Sequence, residues 1–105
     1  MRSKKGSRNT LDILNLCDLI EGAWSTSLNS PAITTDPERA TNYVASMVFR
    51  LTKLLPNVNG WAHADTAQLA SLNMLRAIQE VDNAGMLDSL AAMRQAMNRS
   101  DSTKE

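Results

Sequence analysis

Cys17 and His63 are the residues best suited to metal or nucleophilic chemistry, and neither has the neighbours that such chemistry needs. A tetrahedral zinc site takes about four ligands from Cys, His and acidic side chains, and these two are the only soft ligands here. Cys17 falls among apolar residues at helical spacing, which favours a small buried side chain. A reactive thiol would need a nearby cation or helix N-terminus, and the local sequence provides neither.

His63 lies two residues before Asp65, a carboxylate that could orient it as a general base. No motif places a serine or cysteine nucleophile beside it, and Asp65 has a second use as a helix cap. A glycine-rich phosphate loop is also missing, because the four glycines are isolated at positions 6, 22, 60 and 85. We therefore expect a protein that is not an enzyme and that holds no metal or cofactor.

The composition is that of one globular domain: 105 residues, 43% hydrophobic and 21% charged. No apolar stretch approaches the roughly 20 residues that span a bilayer, so we expect no membrane protein. Acidic residues interrupt the segment 11–24, which argues against a secretion signal. The single cysteine cannot form an internal disulfide, and this fits a reducing compartment. We expect a cytoplasmic location.

Charge is unevenly distributed, although eleven basic residues balance eleven acidic ones. Four of the basic residues fall in the first eight positions, at Arg2, Lys4, Lys5 and Arg8. Polar segments of this kind bury too little apolar surface to offset the entropy of ordering. We expect a disordered basic tail over 1–8, a single helical domain over 9–98 and a disordered polar tail over 99–105.

Apolar spacings of three and four predict helices through most of the domain. The first helix is expected to open at Asn9 or Thr10, and the segment 29–35 has the composition of a loop. Asp36-Pro37-Glu38 is a strong helix start, since it supplies a cap, a proline at the first helical position and an acid near the positive end of the dipole. The apolar faces predicted for these two helices are Ile13, Leu16, Cys17, Ile20 and Trp24, then Ala40, Val44, Met47, Leu51 and Leu54.

A third helix is expected to start at Asp65, and it is apolar on more than one face, which predicts packing on several sides. Asn83-Ala84-Gly85 is typical of a helix end with a left-handed glycine, although a kink at Gly85 within one longer helix is the alternative. A fourth, shorter stretch follows with Met86, Leu90, Met93 and Met97. With no strand-like alternation, the fold class is all-α, a bundle of three to four antiparallel helices.

The function that these features favour is protein binding, by a regulator, adaptor or inhibitor that forms a homo-oligomer such as a homodimer. Met86, Leu90, Met93 and Met97 form the expected partner-binding face, since methionine suits adaptable surfaces, although core filling also explains them. Trp61 is either a partner's anchor or a staple for the third helix. The alternative is a small nucleic-acid-associated protein that contacts phosphates through Arg2, Lys4, Lys5 and Arg8.

Overall fold

The computed structural model describes the backbone of residues 2–55 and 64–103, and the side chains of residues 10–55 and 65–98. Within these ranges the chain forms five helices and no strand. They are α1 (Arg2–Leu28), α2 (Ala32–Thr35), α3 (Pro37–Leu54), α4 (Ala64–Glu80) and α5 (Asn83–Thr103). The predicted all-α bundle is therefore confirmed.

The four long helices pack in a ring, in which α1 contacts α3 and α5, and α4 contacts the same two helices from the other side. Hydrogen bonds between α1 and α5 pair Trp24 with Asn83 and Asp18 with Arg94, so these helices run in opposite directions. Short connections join α1 to α3, α3 to α4 and α4 to α5, and the helices of each pair run antiparallel. The result is a four-helix bundle, with α2 lying against α3 at the α1–α3 connection.

Each long helix contributes one apolar stripe to a shared core. The fully buried members include Ile13, Cys17, Ile20 and Trp24 from α1, Val44, Val48 and Leu51 from α3, Ala67, Ala70, Met74 and Ala77 from α4, and Met86, Leu90, Met93 and Met97 from α5. The predicted faces of the first two helices are largely confirmed, with Leu16, Ala40 and Leu54 only partly buried. Alanines on α4 let α5 approach closely, and this pair has the most extensive contact in the bundle.

Both ends of the domain differ in extent from the predicted helices. The structure carries α1 back to Arg2, well before the expected start at Asn9 or Thr10, and carries α5 on to Thr103. The segments expected to be disordered tails thus have a helical backbone where it is described. Their disorder in solution stays a prediction.

The start of α3 follows its sequence signal. Asp36 is the N-cap and its Oδ1 accepts a hydrogen bond from the backbone N–H of Arg39 at 3.3 Å, while Pro37 occupies the first turn. The preceding segment 29–35 is not a plain loop, because it contains α2. The hydroxyl of Ser27 donates to the carbonyl of Ala40 at 2.8 Å, which fixes the end of α1 against α3.

The break between α4 and α5 is confirmed, but it lies earlier than expected. Val81, with φ of 51°, takes the left-handed conformation that was assigned to Gly85. The N–H of Asp82 donates to the carbonyl of Ala77 at 2.8 Å and that of Val81 to Ile78 at 3.2 Å, which is a Schellman ending. The alternative of one kinked helix is therefore wrong.

Gly85 lies in the first turn of α5 rather than at the end of α4. The N-cap of α5 is Asp82, whose Oδ1 accepts a hydrogen bond from the N–H of Gly85 at 3.1 Å. A Cβ at position 85 would lie 2.5 Å from Oδ2 of Asp82. The glycine therefore leaves room for the capping carboxylate.

Candidate functional site

The four residues predicted as the partner-binding face lie in the core. Met86, Leu90, Met93 and Met97 are all fully buried, because α1 and α4 both pack against α5. The expectation that they are exposed is wrong, and core filling accounts for them. Trp61 lies outside the described residues, as do the side chains of Arg2, Lys4, Lys5 and Arg8.

The chemistry-bearing residues form no reactive site where the structure describes them. Cys17 is fully buried, and burial raises the pKa of its thiol to about 12, although Arg94 lies near enough to lower it in part. The fold thus places the cation Arg94 near Cys17, which the neighbouring residues in the sequence do not provide. Desolvation nevertheless has the larger effect on the pKa of the thiol. His63 lies outside the described residues. Among the described side chains, no group of three or more His, Cys, Asp and Glu could hold a metal ion.

The strongest surface feature is a set of large apolar side chains on the outer side of α3 and α4. Phe49 is 55% exposed, Leu69 59% and Leu72 61%. Leu69 and Leu72 are one turn apart on α4, and Phe49 lines the same groove as Leu72. We call this surface the α3–α4 face, comprising Ala45, Phe49, Leu69, Leu72 and Leu75.

An open groove of about 710 Å³ runs between α3 and α4 along this face. Its apolar walls are Ala45 and Phe49 on one side and Leu72, Leu75 and Ile78 on the other. Its polar rim includes Glu38, Asn42, Arg76 and Gln79. The α3 wall extends over thirteen residues, from Pro37 to Phe49, which at a rise of about 1.5 Å per residue gives a length of roughly 18 Å. The groove can therefore hold about three turns of a helix.

Two charged residues line the groove, the acid Glu38 and the cation Arg76. Residues 39–54 of α3 include Arg39, Arg50 and Lys53 and no acid, and the only charged residue in 66–79 of α4 is Arg76. Nη1 of Arg76 lies 3.0 Å from Oε1 of Glu80 in an exposed pair. The middle of the α3–α4 face is thus apolar, with Arg76 on its α4 side and Glu38 on its α3 side.

The opposite side of the bundle, on α1, is acidic. Residues 10–28 of α1 contain three acids, Asp12, Asp18 and Glu21, and no Lys or Arg. Nη2 of Arg94 on α5 donates to Oδ1 of Asp18 at 2.8 Å and to Oε1 of Glu21 at 2.7 Å. Burial lowers the pKa of Arg94, but these two hydrogen bonds raise it above its ordinary value. Arg94 therefore links α5 to α1 through these two ion pairs.

A second groove of about 690 Å³ lies between α1 and α3 beside α2. Tyr43 is its one large exposed aromatic side chain, and most of its lining is small or polar, including Ala23, Thr26 and Ser30. Arg39 lies at its edge. It offers fewer apolar anchors than the α3–α4 groove, so the α3–α4 face is the better candidate.

None of Phe49, Leu69 and Leu72 was predicted as a site residue. The third helix was expected to pack on several sides, and this expectation is wrong at Leu69 and Leu72, which are exposed. A signal was present, because the alanines at 67, 70 and 77 with Met74 already form a complete inward stripe. The two leucines fall outside that stripe. Phe49 likewise lies off the inward face of α3, between the buried Val48 and the exposed Arg50.

Comparison with known proteins gives no relative, since no protein family, no curated protein and no solved structure matches the chain. No helix in the described part of the chain has both the length and the apolarity needed to cross a membrane. Within the described residues, the α3–α4 face is therefore the feature that bears most directly on function.

Proposed function

We propose that this protein is a non-enzymatic protein-binding regulator, adaptor or inhibitor, and that its α3–α4 groove receives a helix from another protein. One observation carries the proposal: Phe49 and Leu72 line one open groove and are each more than half exposed, as is Leu69 one turn before Leu72. A helix that lays its apolar face into a hydrophobic groove is a recurring mode of peptide recognition.

The exposed apolar surface is large enough to matter for binding. Fully burying a Leu or Phe side chain contributes about 1.5–3 kcal/mol, so covering what remains exposed of each contributes roughly 1–2 kcal/mol. The three together supply roughly 3–5 kcal/mol, whereas association costs an estimated 4–15 kcal/mol. A partner must therefore also contact Ala45, Leu75 and the polar rim, which requires a segment that follows the whole groove.

The shape of the groove indicates what such a segment is. A length of roughly 18 Å matches about three helical turns, and apolar residues at i, i+3 or i+4, and i+7 would then face the groove floor. The core is complete without Phe49, Leu69 and Leu72, since every long helix already contributes a buried stripe. Their exposure has no role in holding the bundle together, and binding provides one.

Site-specific photo-crosslinking tests the proposal in the cells that naturally produce the protein. A photoreactive phenylalanine analogue replaces Phe49 in one variant and Leu72 in another. The matched control carries it at Leu87, an apolar residue of α5 that is 42% exposed and outside the groove. We expect both groove positions to give an adduct with the same protein, through a helical segment identified by mass spectrometry, and the control to give none.

The other outcomes contradict the proposal in distinguishable ways. Adducts only between two copies of this chain would make the occupant a second copy and support a homo-oligomer instead. Equal labelling from all three positions, or none from either groove position, would exclude the groove as a binding site. Retention on nucleic acid that is lost when Arg2, Lys4, Lys5 and Arg8 are neutralised, with groove variants unaffected, would favour the nucleic-acid alternative.

A further inference from the structure

We infer that two copies of the chain associate through the outer face of α4, as an antiparallel two-fold dimer that competes with the partner helix. The dimer goes beyond the proposed function, and only the competition rests on it. The observation behind it is a symmetric row of exposed side chains, which we call the α4 ridge: Asp65, Leu69, Leu72 and Arg76. Their spacings of four, three and four residues place them on one side of the helix.

The α4 ridge is distinct from the α3–α4 groove and shares one edge with it. Leu72 and Arg76 line the groove, whereas Asp65 and Leu69 do not. Leu69 is nevertheless 59% exposed. A helix seated in the groove covers only one edge of the ridge, so the ridge calls for an occupant of its own.

The order of residues along the ridge is self-complementary. Asp65 precedes Leu69 by four residues, just as Leu72 precedes Arg76. In a two-fold interface, each residue contacts its counterpart and is contacted by it in return. Two antiparallel α4 helices therefore bring Leu69 against Leu72 of the second copy and Asp65 against Arg76 of the second copy, twice each. Two ion pairs then flank a cluster of four leucines.

Asp65 and Arg76 can pair with each other only between copies. They are eleven residues apart on one helix, a distance of roughly 16 Å. Among the described side chains, Asp65 forms no ion pair, and Arg76 forms an exposed i,i+4 pair with Glu80, which is a weak kind of contact. A parallel arrangement would set Asp65 against Asp65 and Arg76 against Arg76. Like charges disfavour that arrangement, so the charges select the antiparallel one.

The exposed apolar side chains of α1 and α3 lack this complementarity. Leu11 and Leu19 lie on the segment 10–28, which has three acids and no Lys or Arg. Tyr43 lies on the segment 39–54, which has three cations and no acid. Two copies that met through either segment would repel one another. The α4 ridge has one charge of each sign, so it is the surface that suits a second copy.

The dimer should be weak and reversible, because one helix against one helix buries less surface than a standard stable interface. Its population therefore depends on the protein concentration. Since Leu72 and Arg76 belong both to the ridge and to the groove wall, a second copy seated there excludes the partner helix. The dimer thus covers the exposed leucines while the partner is absent, and the partner has to displace the second copy.

Sedimentation velocity of the full-length protein tests the dimer at concentrations from about 10 μM to about 1 mM. We expect a concentration-dependent equilibrium between monomer and dimer. Leu69→Ser should weaken the dimer at least about tenfold, because each dimer loses two buried leucines. The matched control, Leu87→Ser, changes an exposed leucine of α5 and should leave the dimer dissociation constant within about twofold. Circular dichroism confirms that each variant is folded.

Charge exchange tests the antiparallel register. Asp65→Arg and Arg76→Asp should each weaken the dimer by about tenfold, since like charges then meet at both ends of the ridge. The double variant with both changes re-forms two ion pairs with their signs exchanged, so its dimer should be within about threefold of the original. The matched control is Arg39→Asp on α3, at the edge of the α1–α3 groove, which should have an effect within about twofold.

Three results would overturn the dimer. The protein could stay monomeric at about 1 mM, Leu69→Ser could act no more strongly than Leu87→Ser, or the double charge variant could dimerise no better than the single ones. The competition has its own readout. Asp65→Arg changes no residue that lines the groove, so it should raise the yield of partner adduct from position 49 in the crosslinking experiment. An unchanged yield would refute the competition.

Failure of the dimer and failure of the proposed function can be told apart. If the protein stays monomeric while crosslinking from positions 49 and 72 captures a partner helix, this inference fails and the proposed function stands. If the dimer responds to Leu69→Ser and to charge exchange while crosslinking captures only a second copy, the dimer stands and the groove loses its partner.

Discussion

Two glycines inside helices should differ in how far the same substitution, Gly→Ala, changes the stability. Alanine is favoured over glycine in a helix interior by about 0.8–1.0 kcal/mol. Gly22 lies within α1, and a Cβ there would meet nothing within 4 Å. Gly22→Ala should therefore raise the free energy of unfolding by about 1 kcal/mol.

At Gly85 the same gain is opposed by the loss of a helix cap. The new Cβ would lie 2.5 Å from Oδ2 and 3.0 Å from Cγ of Asp82, so the carboxylate has to move. Moving it breaks the 3.1 Å hydrogen bond from the N–H of Gly85. Losing an N-cap costs about 0.5–2 kcal/mol, typically near 1. Gly85→Ala should thus change the stability by less than about 0.5 kcal/mol.

Urea unfolding monitored by circular dichroism measures this balance in a double-mutant cycle. Asp82→Ala should cost about 1 kcal/mol, and adding Gly85→Ala to it should restore about 1 kcal/mol, because no carboxylate is left to displace. The coupling between the two positions is then about 1 kcal/mol. If Gly85→Ala stabilises both backgrounds equally, the carboxylate moves without losing its bond and the reasoning is refuted.

Three further predictions concern the core. Leu51 is fully buried on α3, so Leu51→Ala should cost about 2–5 kcal/mol in urea unfolding, and a loss below about 0.5 kcal/mol would place it on the surface. Cys17 should react slowly with a thiol reagent until denaturant is added. Since burial raises the pKa of its thiol to about 12, the fold favours the neutral form, so stability should be full below the ordinary thiol pKa and fall as pH rises towards 12. Between pH 8 and 10.5 the loss should be roughly 2–3 kcal/mol larger than in Cys17→Ala, and parallel pH profiles would contradict this. Leu90→Asp with Met93→Asp should abolish helical circular dichroism, because it buries unpaired carboxylates, whereas Leu87→Asp on the exposed side of α5 should not.

Much of the fold was predictable because each helix has one clear apolar stripe or a strong start signal. The spacing from Ile13 to Trp24 defines the inward face of α1, and Asp36-Pro37 marks the start of α3. The α4–α5 break was placed wrongly because glycine is the residue that adopts positive φ most cheaply. Packing of the two helices instead imposes φ of 51° on Val81, a β-branched residue that local preference would not select.

The candidate site was not predictable, for a reason specific to α4. Periodicity finds an inward stripe by contrast with polar residues on the other side, and α4 has apolar residues on both sides. Only the packed structure shows that the alanines at 67, 70 and 77 face the core while Leu69 and Leu72 face outwards. On α5 the opposite error occurred, because a helix that was expected to be short and terminal is covered by two neighbours.

The charges of the bundle bear on how a partner would find the α3–α4 face. Residues 10–28 of α1 carry three acids, and their one cation from α5, Arg94, is already bound by two of them. A helix with acidic flanks is therefore repelled from the α1–α5 side. Charge of this kind changes the rate of association and orients the encounter, while the apolar contacts determine how long the complex lasts. Raising the salt concentration should accordingly change the association rate of a partner helix more than its dissociation rate, whereas Leu72→Ser should mainly speed dissociation.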